Sequence, residues 1–208
     1  MSPSLIVFLL GALGLAVVWR RHLAAPSTHG FYRYFAFVGI LALACRQALA
    51  WFQDPVSFRQ LTSWLLLASS LALALTAGAT LRRLGRPAGA IEPTKALVTE
   101  GIYRHIRHPL YASLILLAAG AWLKQVDWIS TALMVGTFLA VLATARTEER
   151  ELEAQFGDAY LSYRRQTGGF LPFGTARPTP SPNGPSDAGP ASSPLRDARR
   201  DPRQGHEG

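Results

Sequence analysis

The chain has 208 residues, of which 49% are hydrophobic and only 16% are charged, whereas an average soluble domain has about 25% charged residues. This deficit, with apolar residues in long blocks, predicts a membrane protein and argues against an ordinary soluble domain. The single cysteine excludes an intrachain disulfide framework and a multi-cysteine zinc or iron–sulfur site. The formal net charge of +8 could indicate nucleic acid binding, but the basic residues cluster between apolar blocks, as they do in membrane loops, so no nucleic acid partner is expected.

Five apolar blocks predict an all-α integral membrane protein with five transmembrane helices, since one span takes roughly 17–25 helical residues. The predicted spans cover residues 5–19, 31–52, 61–81, 110–123 and 128–145. Arg20 and Arg21 follow the first block instead of preceding it, which favours a retained anchor over a cleaved signal peptide. Only residues 124–127 separate the last two blocks, so these two spans are expected to form a helical hairpin.

The basic residues predict the orientation of the five spans. One side of the membrane receives only Arg59 and Lys124 in its loops, and the other side collects most of the remaining arginines. By the positive-inside rule, the N-terminus is expected outside and the C-terminus in the cytosol. The excess of arginine over lysine favours a bacterium, and therefore its inner membrane.

Residues 174–208 have a different composition, because they are rich in proline and contain no aromatic residue. Such a segment buries too little apolar surface to offset the entropy of ordering it. We therefore expect a membrane domain over residues 1–173 and a disordered cytosolic tail over residues 174–208.

A dense group of polar residues precedes the fourth span, in Gly101-Ile-Tyr-Arg-His-Ile-Arg-His-Pro-Leu-Tyr111. Pro109 suits the first turn of a helix, so the fourth helix should begin near residues 108–110. Its N-terminus, beside Arg104, Arg107 and His108, is a candidate anion site. The alternative is that these arginines only set the topology and that Tyr103 and Tyr111 lie in an interfacial aromatic belt.

A metal site is not expected in the same stretch. His105 and His108 have no further histidine or cysteine nearby and no supporting carboxylate pattern.

A second charged group follows the fifth span, in residues 146–163. Apolar and aromatic residues recur there at helical spacing, which predicts an amphipathic helix on the membrane surface. Glu148 and Glu149 lie where the last span leaves the membrane, on the same side as the basic group, so the two groups could face each other and hold a zwitterion. The alternative is an ordinary solvated charged face.

Together the two groups resemble the superfamily of isoprenylcysteine carboxyl methyltransferases and phospholipid methyltransferases, which are integral membrane enzymes. The resemblance covers residues 81–173 and includes the segments 101–111, 148–149, 156–163 and 171–173. It implies S-adenosylmethionine as methyl donor, bound on the cytosolic side, and a lipophilic acceptor from the bilayer, either an isoprenylcysteine-type carboxylate or a lipid amine. A Gly-x-Gly element of the phospholipid enzymes is missing, because only Gly78 and Gly85 lie in the corresponding area.

The resemblance also implies roles for individual residues. The donor's carboxylate would be held by Arg107, His108 and the helix N-terminus, its hydroxyls and ammonium by glutamates, and its sulfonium by tyrosines. The expected cofactor-binding residues are Gly101, Tyr103, Arg104, Arg107, His108, Pro109, Tyr111, Glu148, Glu149 and Tyr160. The expected catalytic residues are Glu148, Glu149 and Arg146, with a glutamate as general base if the acceptor is an ammonium.

Two other functional classes stay open from the sequence. A membrane reductase related to sterol reductases has a similar Arg-His-Pro-x-Tyr hairpin but uses a nicotinamide cofactor. A non-enzymatic scaffold could bind a partner protein through the cytosolic loop. Separately, Arg46 lies inside the second apolar block, and we expect its side chain to extend to the outer interface.

Overall fold

The computed structural model describes residues 3–25, 28–84 and 97–172, and these residues form an all-helical bundle. Six α-helices follow one another: α1 Pro3–Leu23, α2 His29–Arg46, α3 Phe58–Leu84, α4 Pro109–Trp122, α5 Trp128–Phe156 and α6 Asp158–Gln166. Two short 3₁₀ helices, Ala48–Ala50 and Gly101–Arg104, join them. The predicted disordered tail and Gly85 lie outside the described residues, and the predicted domain boundary stays a prediction.

Three of these helices, α1, α3 and α5, are long and apolar enough to cross a membrane. At 1.5 Å per residue, the 21 residues of α1 reach about 30 Å, the thickness of the hydrocarbon core. Helix α4 is apolar but has only 14 residues, which is shorter than a usual span. The structure therefore supports three candidate spans where the sequence predicted five.

The helices pack in neighbouring pairs. Helix α2 packs mainly on α5, α3 on α4, and α1 on α2. At the first contact Gly39 lies so close to α5 that an added Cβ would be 2.2 Å from the hydroxyl oxygen of Thr137. At the second, Ser63 and Ser70 donate hydrogen bonds of 2.6 and 2.7 Å to backbone carbonyls of α4. Small residues and serine hydroxyls are typical of helix contacts in membranes.

Helix α5 differs from the prediction, because it continues from Trp128 to Phe156 without a break. The residues after Ala145 are mostly good helix formers, so nothing in them interrupts the backbone hydrogen bonds. The break comes at Gly157, whose φ of +54° favours glycine. The expected interfacial helix is thus divided between the polar end of α5 and the short α6, in which Tyr160 is buried.

Polar side chains close the end of the bundle at which α2 ends and α5 begins. Lys124 is fully buried, with Nζ 3.5 Å from the ring centre of Trp64 and 3.0 Å from Oε1 of Gln60. Arg46 pairs with Asp127 at 3.1 Å and also donates to Ser130. The Arg46 side chain is 39% exposed, and its charge is paired by the loop between α4 and α5. The expectation that it extends to the interface is compatible with this position and stays a prediction.

Candidate functional site

The opposite end of the bundle contains a cavity of about 260 Å³, formed where α2 and α4 begin and where α3 and α5 end. Its walls are partly aliphatic and aromatic and partly charged, with side chains of both signs. The lining residues on α2, α3 and the following loop are His29, Arg33, Leu81, Leu97, Val98 and Tyr103. Those on the start of α4, the end of α5 and α6 are Arg107, His108, Pro109, Leu110, Tyr111, Glu148, Glu151, Leu152, Gln155 and Tyr163.

Helix α4 begins at Pro109, as the proline predicted, and the residues before it are fixed by a carboxylate on α5. Oε1 of Glu149 accepts hydrogen bonds from Nε and Nη2 of Arg107, at 3.1 and 3.0 Å. The same oxygen lies 3.1 Å from Nε2 of His108. Since an ionised carboxylate only accepts, Nε2 carries the proton of this bond. The structure thus brings together the basic and the acidic groups that were recognised separately in the sequence.

The charge of Glu149 is stabilised strongly by these neighbours. Burial alone would raise its pKa, but the hydrogen bond from His108 and the charge and hydrogen bonds of Arg107 lower it to about 2. Glu149 follows the apolar part of α5, which ends at Ala145. The carboxylate is therefore ionised at physiological pH and serves as the fixed centre of this group.

The segment after α6 completes the same end of the bundle. The backbone N–H groups of Arg107 and His108 donate to the carbonyls of Gly168 and Gly169, at 2.8 and 3.0 Å. Nη1 of Arg107 donates to the carbonyls of Arg164 and Thr167. The guanidinium of Arg107 is therefore occupied by partners within the chain, and two N–H groups just before α4 are paired instead of open to an anion.

A second carboxylate of α5 binds the start of α2. Glu151 accepts the backbone N–H of His29 at 3.1 Å, and its other oxygen lies 2.5 Å from Nδ1 of the same residue. A carboxylate at a helix N-terminus also interacts favourably with the helix dipole. This contact links α2 to the polar end of α5 at the edge of the cavity.

Three tyrosines near the cavity have raised pKa values and are neutral at physiological pH. Burial raises the pKa of Tyr103, with a further contribution from the charge of Glu148. Burial also raises the pKa of Tyr163 to about 12, and its hydroxyl donates to the carbonyl of Tyr103 at 2.6 Å. Tyr160 has a pKa raised by burial and by Glu149, and its hydroxyl has no hydrogen-bond partner among the described residues. None of them is poised to act as a base near neutral pH.

Only some of the site residues that the sequence predicted line the cavity. Tyr103, Arg107, His108, Pro109, Tyr111 and Glu148 line it. Glu149 and Tyr160 lie beside it as supporting residues, whereas Gly101, Arg104 and Arg146 are exposed and do not line it. Within the described part of the chain, no group of three or more histidine, cysteine or carboxylate residues could hold a metal ion.

Sequence reasoning missed the lining residues contributed by α2, namely His29 and Arg33. Both precede the recognised motifs by many residues, and they approach the cavity only because α2 packs on α5. A signal was present, because Arg33 is a charged residue inside an apolar block and therefore a candidate for function. Glu151 and Tyr163 were seen only as parts of an amphipathic helix.

Comparison with known proteins bears on the same region. Residues 58–159, which include α3 to α5, match the family model described as phospholipid methyltransferase. The chain is 35% identical over 80 residues to protein-S-isoprenylcysteine O-methyltransferase of Schizosaccharomyces pombe, covering 37% of this chain and 33% of that protein. It is 30% identical over 76 residues to methanethiol S-methyltransferase of Crocosphaera subtropica, covering 36% of this chain and 29% of that protein. The chain thus matches about a third of the length of these curated relatives.

Proposed function

We propose that this chain, which belongs through residues 58–159 to the superfamily of membrane methyltransferases, transfers a methyl group from S-adenosylmethionine to a lipophilic acceptor. The resemblance drawn from the motifs is confirmed at the level of the superfamily, and the three apolar helices together with the relatives support an integral membrane protein. These matches give no support to a nicotinamide-dependent reductase. They also favour an enzyme over a scaffold.

The observation that carries the proposal is the mixed character of the cavity. Aliphatic side chains such as Leu81, Leu110 and Leu152 share it with Glu148, Arg33 and three tyrosine rings. The methyl donor combines a zwitterionic amino-acid end, a sulfonium and a nucleoside, so it requires charges of both signs beside apolar and aromatic surface. The lining meets this requirement, since carboxylates accept from ammonium and hydroxyl groups, and aromatic faces attract cations.

Individual residues have distinct proposed roles. Glu148 accepts hydrogen bonds from the ammonium or hydroxyl groups of the donor, and Tyr103 and Tyr111 offer ring surface to the sulfonium. Arg107 and His108 hold Glu149 and the start of α4 in place and so position the other residues. No role follows from the structure for Gly101, Arg104 or Arg146.

When bound, the donor supplies an electrophilic methyl group whose bond to sulfur breaks as the bond to the acceptor forms, and the sulfur keeps the electron pair. The chain's own contribution is to align the acceptor and to exclude water. Such positioning can account for roughly 7–11 kcal/mol of a barrier. A carboxylate acceptor needs no base. An ammonium acceptor must first lose a proton, and Glu148, a carboxylate that lines the cavity, is proposed to accept it.

The acceptor is proposed to be lipophilic because aliphatic residues form much of the cavity wall. The names of the matched family and relatives refer to a phospholipid, an isoprenylcysteine oxygen and the sulfur of methanethiol, so the acceptor atom stays open. The end of the bundle that holds the cavity also carries Arg20, Arg21, Arg82 and Arg83. By the positive-inside rule we propose that this end faces the cytosol, in a bacterial inner membrane.

The test is methyl transfer by the purified full-length chain in lipid nanodiscs. Isotope-labelled S-adenosylmethionine is supplied with total membrane lipid, an S-prenylated cysteine or an alkanethiol, and labelled products are identified by mass spectrometry. Calorimetry with S-adenosylmethionine and with NADPH separates the methyltransferase from a reductase. We expect binding of the first compound, and binding of NADPH alone would contradict the proposal.

A pair of variants connects this activity to the cavity. Glu148→Gln removes a lining carboxylate and should weaken donor binding about tenfold or more, since hydrogen bonds to charged groups contribute roughly 1.5–3 kcal/mol. Glu153→Gln changes an exposed glutamate of the same helix that does not line the cavity, so donor affinity should stay the same. Equal affinity in both variants would show that the donor does not bind where we place it.

A further inference from the structure

Arg33 is a cavity residue that forms no ion pair with a carboxylate among the described residues. It lies on α2, one helical turn after His29, and its Nε atom is buried without a hydrogen-bond partner. Two aromatic residues lie beside it: the guanidinium carbon is 6.0 Å from the ring centre of Trp19, and the Tyr111 hydroxyl interacts with the guanidinium. Neither neighbour carries a negative charge at neutral pH.

The other basic residues that line the cavity already have partners within the chain. His29 is paired with Glu151 at 2.5 Å, and His108 lies 3.1 Å from Glu149. Arg107 binds the same carboxylate and two backbone carbonyls, so its nitrogens are occupied. Rearranging Arg107 to bind a ligand would leave a buried carboxylate without its partner, which is costly.

An unpaired guanidinium at a partly buried position is itself unfavourable unless an anion joins it. Arginine presents a planar fork of N–H donors that matches the two oxygens of a carboxylate. The Tyr111 hydroxyl interacts with Glu148 as well as with Arg33, and both charged residues line the cavity. That pair complements an α-amino acid, whose carboxylate and ammonium are separated by one carbon.

We propose that Arg33 is the carboxylate-binding residue of this cavity. The inference rests on the proposed function, and it gives Arg33 the role that the sequence resemblance assigned to Arg107 and His108. The ligand group is the carboxylate of an amino acid, carried either by the methyl donor or by a cysteine-type acceptor.

The first arm of the test measures equilibrium binding to the full-length chain in detergent micelles. The probes are S-adenosylhomocysteine, which carries the amino-acid end, and 5′-methylthioadenosine, which lacks it. Arg33→Gln should weaken binding of the first probe about tenfold to a hundredfold and leave the second unchanged, and Arg33→Lys should restore part of the affinity. Arg165→Gln, at an exposed position of α6 outside the cavity, is the matched control and should change neither.

The second arm distinguishes the source of the carboxylate. If Arg33→Gln leaves the affinity for S-adenosylhomocysteine unchanged but raises the KM of an S-prenylated cysteine and not that of an alkanethiol, the carboxylate belongs to the acceptor. If both the donor affinity and the acceptor KM are unchanged in Arg33→Gln, the role of Arg33 is refuted, but the proposed function is not. A wild-type chain that binds neither nucleoside would overturn the proposed function, and this inference with it. Circular dichroism and gel filtration of Arg33→Lys show whether the helix bundle is intact.

Discussion

The Glu149 carboxylate is expected to contribute more to stability than any other charge at the cavity end of the bundle. Its side chain is 16% exposed and is shared by Arg107 and His108. A decrease of its pKa from 4.5 to about 2 corresponds to roughly 3 kcal/mol in favour of the charged carboxylate in the folded state, since one pKa unit is about 1.4 kcal/mol. Glu149→Gln should therefore lower the free energy of unfolding by about 3 kcal/mol at neutral pH.

The pH dependence has a definite sign. Because the pKa of Glu149 is lower in the folded chain than its ordinary value of 4.5, the stabilisation is complete above that pH and decreases as the pH falls toward 2. The difference in unfolding free energy between wild type and Glu149→Gln should shrink over the same interval.

The assay is denaturant unfolding of the purified chain in mixed micelles, followed by circular dichroism at several pH values. Glu153→Gln is the matched control, since Glu153 is 45% exposed and lies 3.7 Å from Arg164. An exposed ion pair contributes about 0–1 kcal/mol. Equal losses of unfolding free energy in Glu149→Gln and Glu153→Gln at neutral pH would refute the stabilising role assigned to Glu149. So would a difference between wild type and Glu149→Gln that is as large at pH 2 as at neutral pH.

Two further predictions concern packing. Tyr163→Phe removes the hydrogen bond to the Tyr103 carbonyl and should lower the free energy of unfolding by about 1 kcal/mol. The control is Tyr32→Phe, which removes a hydroxyl that makes no hydrogen bond among the described residues and should have a smaller effect. An equal cost would show that the bond contributes little. Gly39→Ala places a Cβ 2.2 Å from a hydroxyl oxygen of α5 and should destabilise by about 1–3 kcal/mol. Gly136→Ala meets nothing within 4 Å and should be neutral or slightly stabilising; destabilisation by both would contradict the close contact.

Local sequence signals predicted the features that depend on neighbouring residues. Pro109 placed the start of α4 because its fixed φ and missing N–H act within one turn. The apolar blocks likewise predicted the helices, although α2 ends at Arg46 and α4 ends at Trp122. Hydropathy reports composition, so it does not show where a helix ends inside an apolar block or whether it is long enough to cross the bilayer.

The features that were missed depend on contacts between distant residues. Glu151 and His29 are 122 positions apart, and no pattern in a single sequence indicates that they meet. Arg107 was correctly recognised as important, but its partners on α5 and after α6 could not be identified before the packing was known. The end of α5 was misjudged because the change of amphipathic pattern after Ala145 indicated a new helix, whereas only Gly157 interrupts the backbone.

The backbone pairing between residues 107–108 and residues 168–169 has a consequence for biosynthesis. Residues 168–169 emerge from the ribosome after all six helices, so a partly synthesised chain inserts its apolar segments before the start of α4 has these partners. The end of the bundle that holds the cavity is thus the last part to mature.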